Sequence, residues 1–368
     1  DLVAPCFIER GTEERAACQT VPLWRPGRIG PMELKNRVIR SATNEHLSQP
    51  DGQLTTTWMD TLVELAENEV GLVITGHMSV DRQQRSDQGQ TVLDEQTDLG
   101  LLHETACRVH AAGGKIVAQL NHGGKKAPET VNGHPPKLPA DFSLEELDQI
   151  VGKYRYAAML CRRAGFDGVQ IHNAYGYLLA SFLNHVDNRR TDGYGGSVEN
   201  RFRLTGRIIR EVRRTCGPDF AILTKVGGNG YGSLHRLLEL YEISGADGVE
   251  ICTSDFDPRI WASRSFCMEE LLRAWEGVDL PISLVGGVFS QKAAEHILEA
   301  GVPFVSFSRA LLCQPDFAAR LKRGEAEESP CTTCNQCYQS FRRQFVRCIQ
   351  HTSPIPQLKK VFGSSENI

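Results

Sequence analysis

"GFDGVQIHNAYGYLLASFLN" (165–184) decides how this chain is read. It opens on a glycine that closes a helix-like stretch. It runs through an apolar, β-branched strand, "DGVQIH" (167–172), and then presents His172, Asn173, Tyr175 and Tyr177 before the pattern turns helical again. A glycine just past a helix suits the left-handed C-cap. A strand without polar alternation is covered on both faces, as parallel strands under helices are. Chemistry-bearing side chains at the C-terminal end of such a strand lie where parallel α/β folds build their sites.

The same unit recurs along the chain. Seven further strands of this type are "RVIRSAT" (37–43), "GLVITGH" (71–77), "KIVAQLN" (115–121), "AILTKV" (221–226), "GVEICT" (248–253), "PISLVGG" (281–287) and "FVSFSR" (304–309). Between them lie helical patterns such as "TWMDTLVELAEN" and "SQKAAEHILEAG", and glycine closes several of them, in "AAGGK", "RAGFDG", "SGADG" and "EAGVP". Eight βα units predict a (β/α)8 barrel. An open doubly wound sheet would carry a glycine-rich phosphate loop after its first strand, whereas here that strand ends "SATNEH".

The 368 residues, 40% hydrophobic and 23% charged, suit one large barrel. A net charge of -4 gives no electrostatic case for nucleic acid or an anionic membrane, and no apolar run approaches the ~20 residues of a membrane span. Eight of the 12 cysteines are scattered, several in apolar segments, as free thiols are in a reducing compartment; a cytoplasmic location is expected. The chain starts at Asp1 rather than Met, which leaves its native N-terminus open. Residues 1–20 read as an irregular arm, 21–325 as the barrel and 326–368 as a cysteine-containing tail.

In a barrel, the strand ends form the site. Gly286–Gly287 and Ser308–Arg309 end the last two strands, where barrels commonly bind phosphate: the glycines let backbone N–H groups approach the anion and Arg309 supplies a charged fork. Lys225 ends an apolar strand, and a cation there needs an anion or an electron-rich ring. The Gln119 amide offers both donor and acceptor to a pyrimidine-like edge. His122, in "NHGGKK", is a ligand contact or a capped loop histidine. His172 can hold a carbonyl oxygen, and Tyr177, protonated at neutral pH, can give its proton to a carbanion. "NRRTDGYGGSVENRFRL" (188–204) reads as scaffold, braced by ion pairs of Arg189, Asp192, Arg201 and Arg203.

These residues resemble the old yellow enzyme family of flavin-dependent NAD(P)H oxidoreductases, over roughly residues 21–325 and in the same order. The most specific stretch is "NRRTDGYGGSVENR" (188–201). The resemblance implies FMN bound at the C-terminal face of the barrel. Ala42, Thr43 and Gly76 would approach the flavin, Gln119 would meet its pyrimidine edge, and Lys225 would be the cation beside it. Gly286, Gly287, Ser308 and Arg309 would hold the phosphate. His172 would contact the substrate oxygen and Tyr177 would be the proton donor. The chain departs from the pattern at Tyr175, where the family has a second His or Asn, and at Ser308, where it usually has Gly. The implied reaction is reduction of an activated C=C bond in a small-molecule substrate at the expense of NAD(P)H. "SDFDPRIWASRSF" (254–266), with Trp261 and Phe266, would roof the substrate.

"CTTCNQCYQSFRRQFVRC" (331–348) resembles the iron–sulfur branch of the family, which includes dienoyl-CoA reductases and trimethylamine dehydrogenase. Cys331, Cys334, Cys337 and Cys348 could hold an iron–sulfur cluster or zinc, or form a reduced cysteine-rich tail. Two alternatives to the ene-reductase follow. One is an amine- or alcohol-type dehydrogenase relaying electrons through such a cluster; the other is a non-catalytic flavin-binding or degenerate barrel. A second copy of the chain or an electron-transfer protein is left open as a partner.

Overall fold

The computed structural model of the chain describes residues 22–44, 46–227, 233–252, 268–340, 346 and 348–350. The N-terminal arm, residues 228–232 of the "GGNGYGSLHR" loop (227–236), Trp261 and Phe266 lie outside the described residues.

An antiparallel hairpin, β1 (Gly27–Ile29) and β2 (Met32–Leu34), precedes the barrel. Its Ile29, Met32 and Leu34 are buried with Ile39, Leu72, Ile74, Val117, Leu223 and Phe304 from the barrel strands. The hairpin therefore shields apolar barrel side chains that would otherwise meet water. The barrel follows as β3 (Val38–Arg40), β4 (Leu72–Ile74), β5 (Met78–Ser79), β6 (Lys115–Asn121), β7 (Gly168–Asn173), β8 (Ala221–Gly227), β9 (Gly248–Cys252), β10 (Ile282–Val285) and β11 (Phe304–Phe307). Every pairing among them is parallel. The sheet runs β4-β3-β11-β10-β9-β8-β7-β6-β5, and a β4–β6 pairing closes it. The eight expected strands stand in their expected order as a (β/α)8 barrel. The short β5 only extends the ladder beside β6.

Helices fill the intervals, among them Thr56–Glu67, Leu99–Ala111, Leu144–Arg163 and Val198–Cys216. Each begins where a Ser, Thr or Asp side chain accepts from an orphan N–H; at Ser143 the Glu146 carboxylate returns the bond, a capping box. The expected closing glycines, Gly113, Gly165, Gly245 and Gly301, have φ of 73°, 88°, 93° and 89°. Among the described residues no helix is long and apolar enough to cross a membrane.

The 188–204 loop is braced differently from expectation. Arg190, not Arg189, pairs with Asp192. Arg201 donates to the Leu183 carbonyl at 2.7 Å and Arg203 to the Gly193 carbonyl at 2.5 Å. Arg201 and Arg203, from the first turns of the following helix, thus satisfy backbone carbonyls outside that helix, and Arg190 holds the Asp192 carboxylate within the loop.

Candidate active site

The C-terminal strand ends surround a cavity of about 410 Å3. Ala42, Thr43, Gln119, Lys225, Gly286, Gly287, Ser308 and Arg309 line it, together with His172, Tyr175 and Tyr177. Strand register explains part of this convergence. His172 on β7 lies opposite Lys225 on β8, which lies opposite Glu250 on β9. Three polar side chains thus stand abreast near the top of the barrel.

Lys225 is an ion-pair partner, not a lone cation. Its Nζ lies 2.9 Å from Glu250 Oε2 and donates to Ser41 Oγ at 2.8 Å. Ser41 in turn donates to Glu250 at 3.0 Å. All three are buried, where an unpaired charge would be costly. The ammonium also sits 5.7 Å from the centre of the Tyr175 ring. Tyr175 has φ +58°, a left-handed conformation unusual for an aromatic residue. Gln119 donates through Nε2 to Gln170 Oε1 at 2.7 Å.

At the other end, Thr43 Oγ1 and Ser308 Oγ are 3.1 Å apart. Gly286 and Gly287 have φ of 132° and 72°, so the backbone after β10 takes a course that side chains disfavour. Arg309 bonds the Asn335 side-chain oxygen and lies 5.2 Å from the centre of the Phe289 ring. A cation at each end, an amide between and a glycine-lined backbone fit a molecule with an anionic tail and a polar heterocycle, as FMN has. That donor set meets the chemical requirements of the cofactor.

One wall is aromatic. His172 and Tyr177 rings lie 5.1 Å apart, and His77 lies 5.0 Å from Tyr177 and 6.0 Å from His172. Tyr177 Oη is 3.3 Å from His77 Nε2. Burial is the main cause that pushes the Tyr177 phenol up, with the Asp87 carboxylate adding to it. Burial likewise holds His77 down at about 4 and His172 well below the usual histidine range. Both imidazoles are neutral at pH 7. His172 Nδ1 is buried without a hydrogen-bond partner.

Gly76 and His122 stand away from the cavity lining. Gly76 does not line the cavity; a Cβ there would come within 2.8 Å of Asn44 Cα and the Thr43 carbonyl oxygen, so it serves close backbone packing. His122 is a buried loop histidine: its Nδ1 accepts from the Gly124 N–H at 3.3 Å, and it does not reach the cavity. The sequence placed His77 at a strand end without giving it a role, and passed over Glu250, hidden inside an apolar strand. A charged residue in a buried strand was the available signal for Glu250.

Cys331, Cys334, Cys337 and Cys348 line a second, small cavity of about 20 Å3, joined there by Cys313. This cavity shares Arg309 and Cys337 with the large one. Among the described residues no group of three or more His, Cys, Asp or Glu is placed to hold a metal ion.

The sequence profile of the NADH:flavin oxidoreductase / NADH oxidase family matches residues 22–328. The chain belongs to this family. It is 31% identical over 320 residues to an NADPH dehydrogenase of Bacillus subtilis, covering 80% of the chain and 93% of that protein. It is 28% identical over 347 residues to an NADH oxidase of Thermoanaerobacter brockii, covering 85% of the chain. The chain spans only 52% of that oxidase's length. The structure of a 2-naphthoyl-CoA reductase superposes with a TM-score of 0.84 at 20% identity, covering 94% of this chain and 58% of that one, and shares its fold. FMN and NAD(P)H are accordingly the cofactors of the family to which this barrel belongs.

Proposed function

We propose that this chain is an FMN-dependent NAD(P)H oxidoreductase that reduces an activated C=C bond. The observation that carries the reading is the meeting of Tyr177, His172 and Lys225 on the cavity in which Gly286, Gly287 and Arg309 also lie. Ala42, Thr43, Gln119 and Lys225 would hold the flavin ring, and Gly286, Gly287, Ser308 and Arg309 its phosphate. When bound there, FMN would supply the hydride chemistry of the reduction, with NAD(P)H as the source of the electrons. The neutral His172 imidazole, its Nδ1 unpartnered, holds the activating oxygen and so draws electron density from the alkene. Tyr175 stands where the family's second oxygen-binding residue stands, so its phenol narrows the choice of activating group. Tyr177 gives its proton to the α-carbon, and the phenol takes one back from solvent between turnovers.

Tyr177→Phe tests this. Reduction of an enone by the NAD(P)H-reduced enzyme should fall by about 100-fold or more, while flavin reduction by NAD(P)H stays near wild type. Equal loss in both half-reactions would remove Tyr177 from the proton-donor role.

A second reading, a dehydrogenase relaying electrons through a metal cluster, is supported by the convergence of four cysteines on one cavity beside Arg309. Among the described residues the thiols are not arranged as a ligand set. Iron analysis of anaerobically purified protein separates the two: about four iron per chain favours the relay and none favours the reductase alone.

A further inference from the structure

The family resemblance gives no role to His77, yet its hydrogen bonds are unusually determinate. Gln90 is fully buried beside it. The Gln90 carbonyl oxygen Oε1 accepts from the Ser86 backbone N–H at 2.7 Å, a group that can only donate. Its Nε2 lies 3.2 Å from the His77 backbone carbonyl oxygen, a group that can only accept. The amide orientation is therefore fixed at both ends. The same Nε2 donates to His77 Nδ1 at 2.6 Å. A neutral imidazole carries one N–H, so an accepting Nδ1 puts that proton on Nε2. His77 Nε2 faces Tyr177 Oη at 3.3 Å.

We propose that His77 is a positioning residue: locked by Gln90 as the Nε2–H tautomer, it donates to the Tyr177 oxygen and thereby turns the phenolic proton away from itself and toward the substrate. With that lone pair engaged by His77, the Tyr177 O–H is left to the cavity, where the Ser86 side chain holds it until substrate takes its place. When the phenol O–H bond breaks and a C–H bond forms at the substrate α-carbon, the electron pair left on oxygen is held by the His77 N–H. The hydride that completes the reduction comes from the reduced flavin, so the substrate gains two hydrogens and the phenolate regains a proton from water. The inference rests on the proton-donor reading of Tyr177.

The deciding experiment is nitrogen NMR of 15N-histidine-labelled holoprotein at neutral pH, with the His77 signals assigned by their loss in His77→Gln. A proton on Nε2 is expected; a proton on Nδ1 overturns the proposal whatever Tyr177 does. Half-reaction kinetics form the second arm, with cyclohexenone as probe. His77→Phe should slow oxidation of the NAD(P)H-reduced enzyme by about 10- to 100-fold and leave flavin reduction unchanged. His77→Gln, which keeps an N–H near the Nε2 position, should recover most of the rate. In the Tyr177→Phe background, His77→Phe should cost nothing further. A slow Tyr177→Phe enzyme beside an unaffected His77→Phe enzyme would refute the His77 role alone. A Tyr177→Phe enzyme at wild-type rate would refute the proton-donor reading, while the NMR arm still reports the tautomer.

Discussion

At the scale of single residues, the site depends on one buried pair. Lys225 is held by Glu250 at 2.9 Å and by Ser41 at 2.8 Å, all inside the barrel. Removing one partner of such a pair strands the other charge, which costs more than the pair itself contributes. Glu250→Gln should therefore lower stability by about 3–5 kcal/mol, read from urea unfolding. Glu250→Leu combined with Lys225→Met should recover much of it, because both charges leave together. A Glu250→Gln protein as stable as wild type would mean that Ser41 alone satisfies the ammonium. Lys225 was legible in the sequence as a cation in an apolar strand. Its pairing with Glu250 was not, since two strands must register before the two charges become neighbours.

At the scale of elements, the strand ends were legible because buried parallel strands, closing glycines and N-caps are local signals. The eight strands, the cavity and most of its lining follow from them. The hairpin β1–β2 was not, because three-residue strands carry too little periodicity to register. Gly76 shows a subtler limit. A glycine at a strand end reads equally as space for a ligand or as space for backbone, and only the neighbouring strand decides. Here Thr43 and Asn44 occupy the space, with the Thr43 carbonyl oxygen 2.8 Å from where a Cβ would sit. Gly76→Ala should accordingly cost about 1–3 kcal/mol in stability and push the ends of β3 and β4 apart. Flavin affinity would weaken only through displacement of Thr43. A Gly76→Ala protein with normal stability but lost flavin would restore the direct-contact expectation.

At the scale of the whole molecule, three neutral histidines are set into or beside the barrel mouth, and this gives the fold a pH dependence of definite sign. His77 and His122 are each held at about 4, with burial as the leading cause, and His172 is lowered in the same direction. In the unfolded chain each titrates near 6.5. Between those values the unfolded state takes up protons that the folded state refuses, so acid favours unfolding. Stability should be complete above about pH 6.5 and should decline as pH falls toward 4. By pH 5 the loss should reach about 2 kcal/mol for each of His77 and His122. Asp81 and Asp87, whose carboxyls are lowered by hydrogen bonds from Lys153 and His46 respectively against the opposing effect of burial, withdraw their own contribution only at still lower pH. These two carboxylates therefore act below the histidine window, whereas the Glu64 carboxyl, raised chiefly by burial, takes up its proton inside the fold and opposes the histidine slope at its lower edge. Urea midpoints measured at half-unit steps from pH 7.5 to 4.5 should fall throughout the lower part of that range. His122→Gln, which leaves the cavity lining intact, should remove a share of the slope comparable to one histidine. A midpoint that stays level from pH 7 to 5 would mean that these imidazoles accept protons inside the fold, and the neutral, hydrogen-bond-donating wall around Tyr177 would have to be abandoned with it.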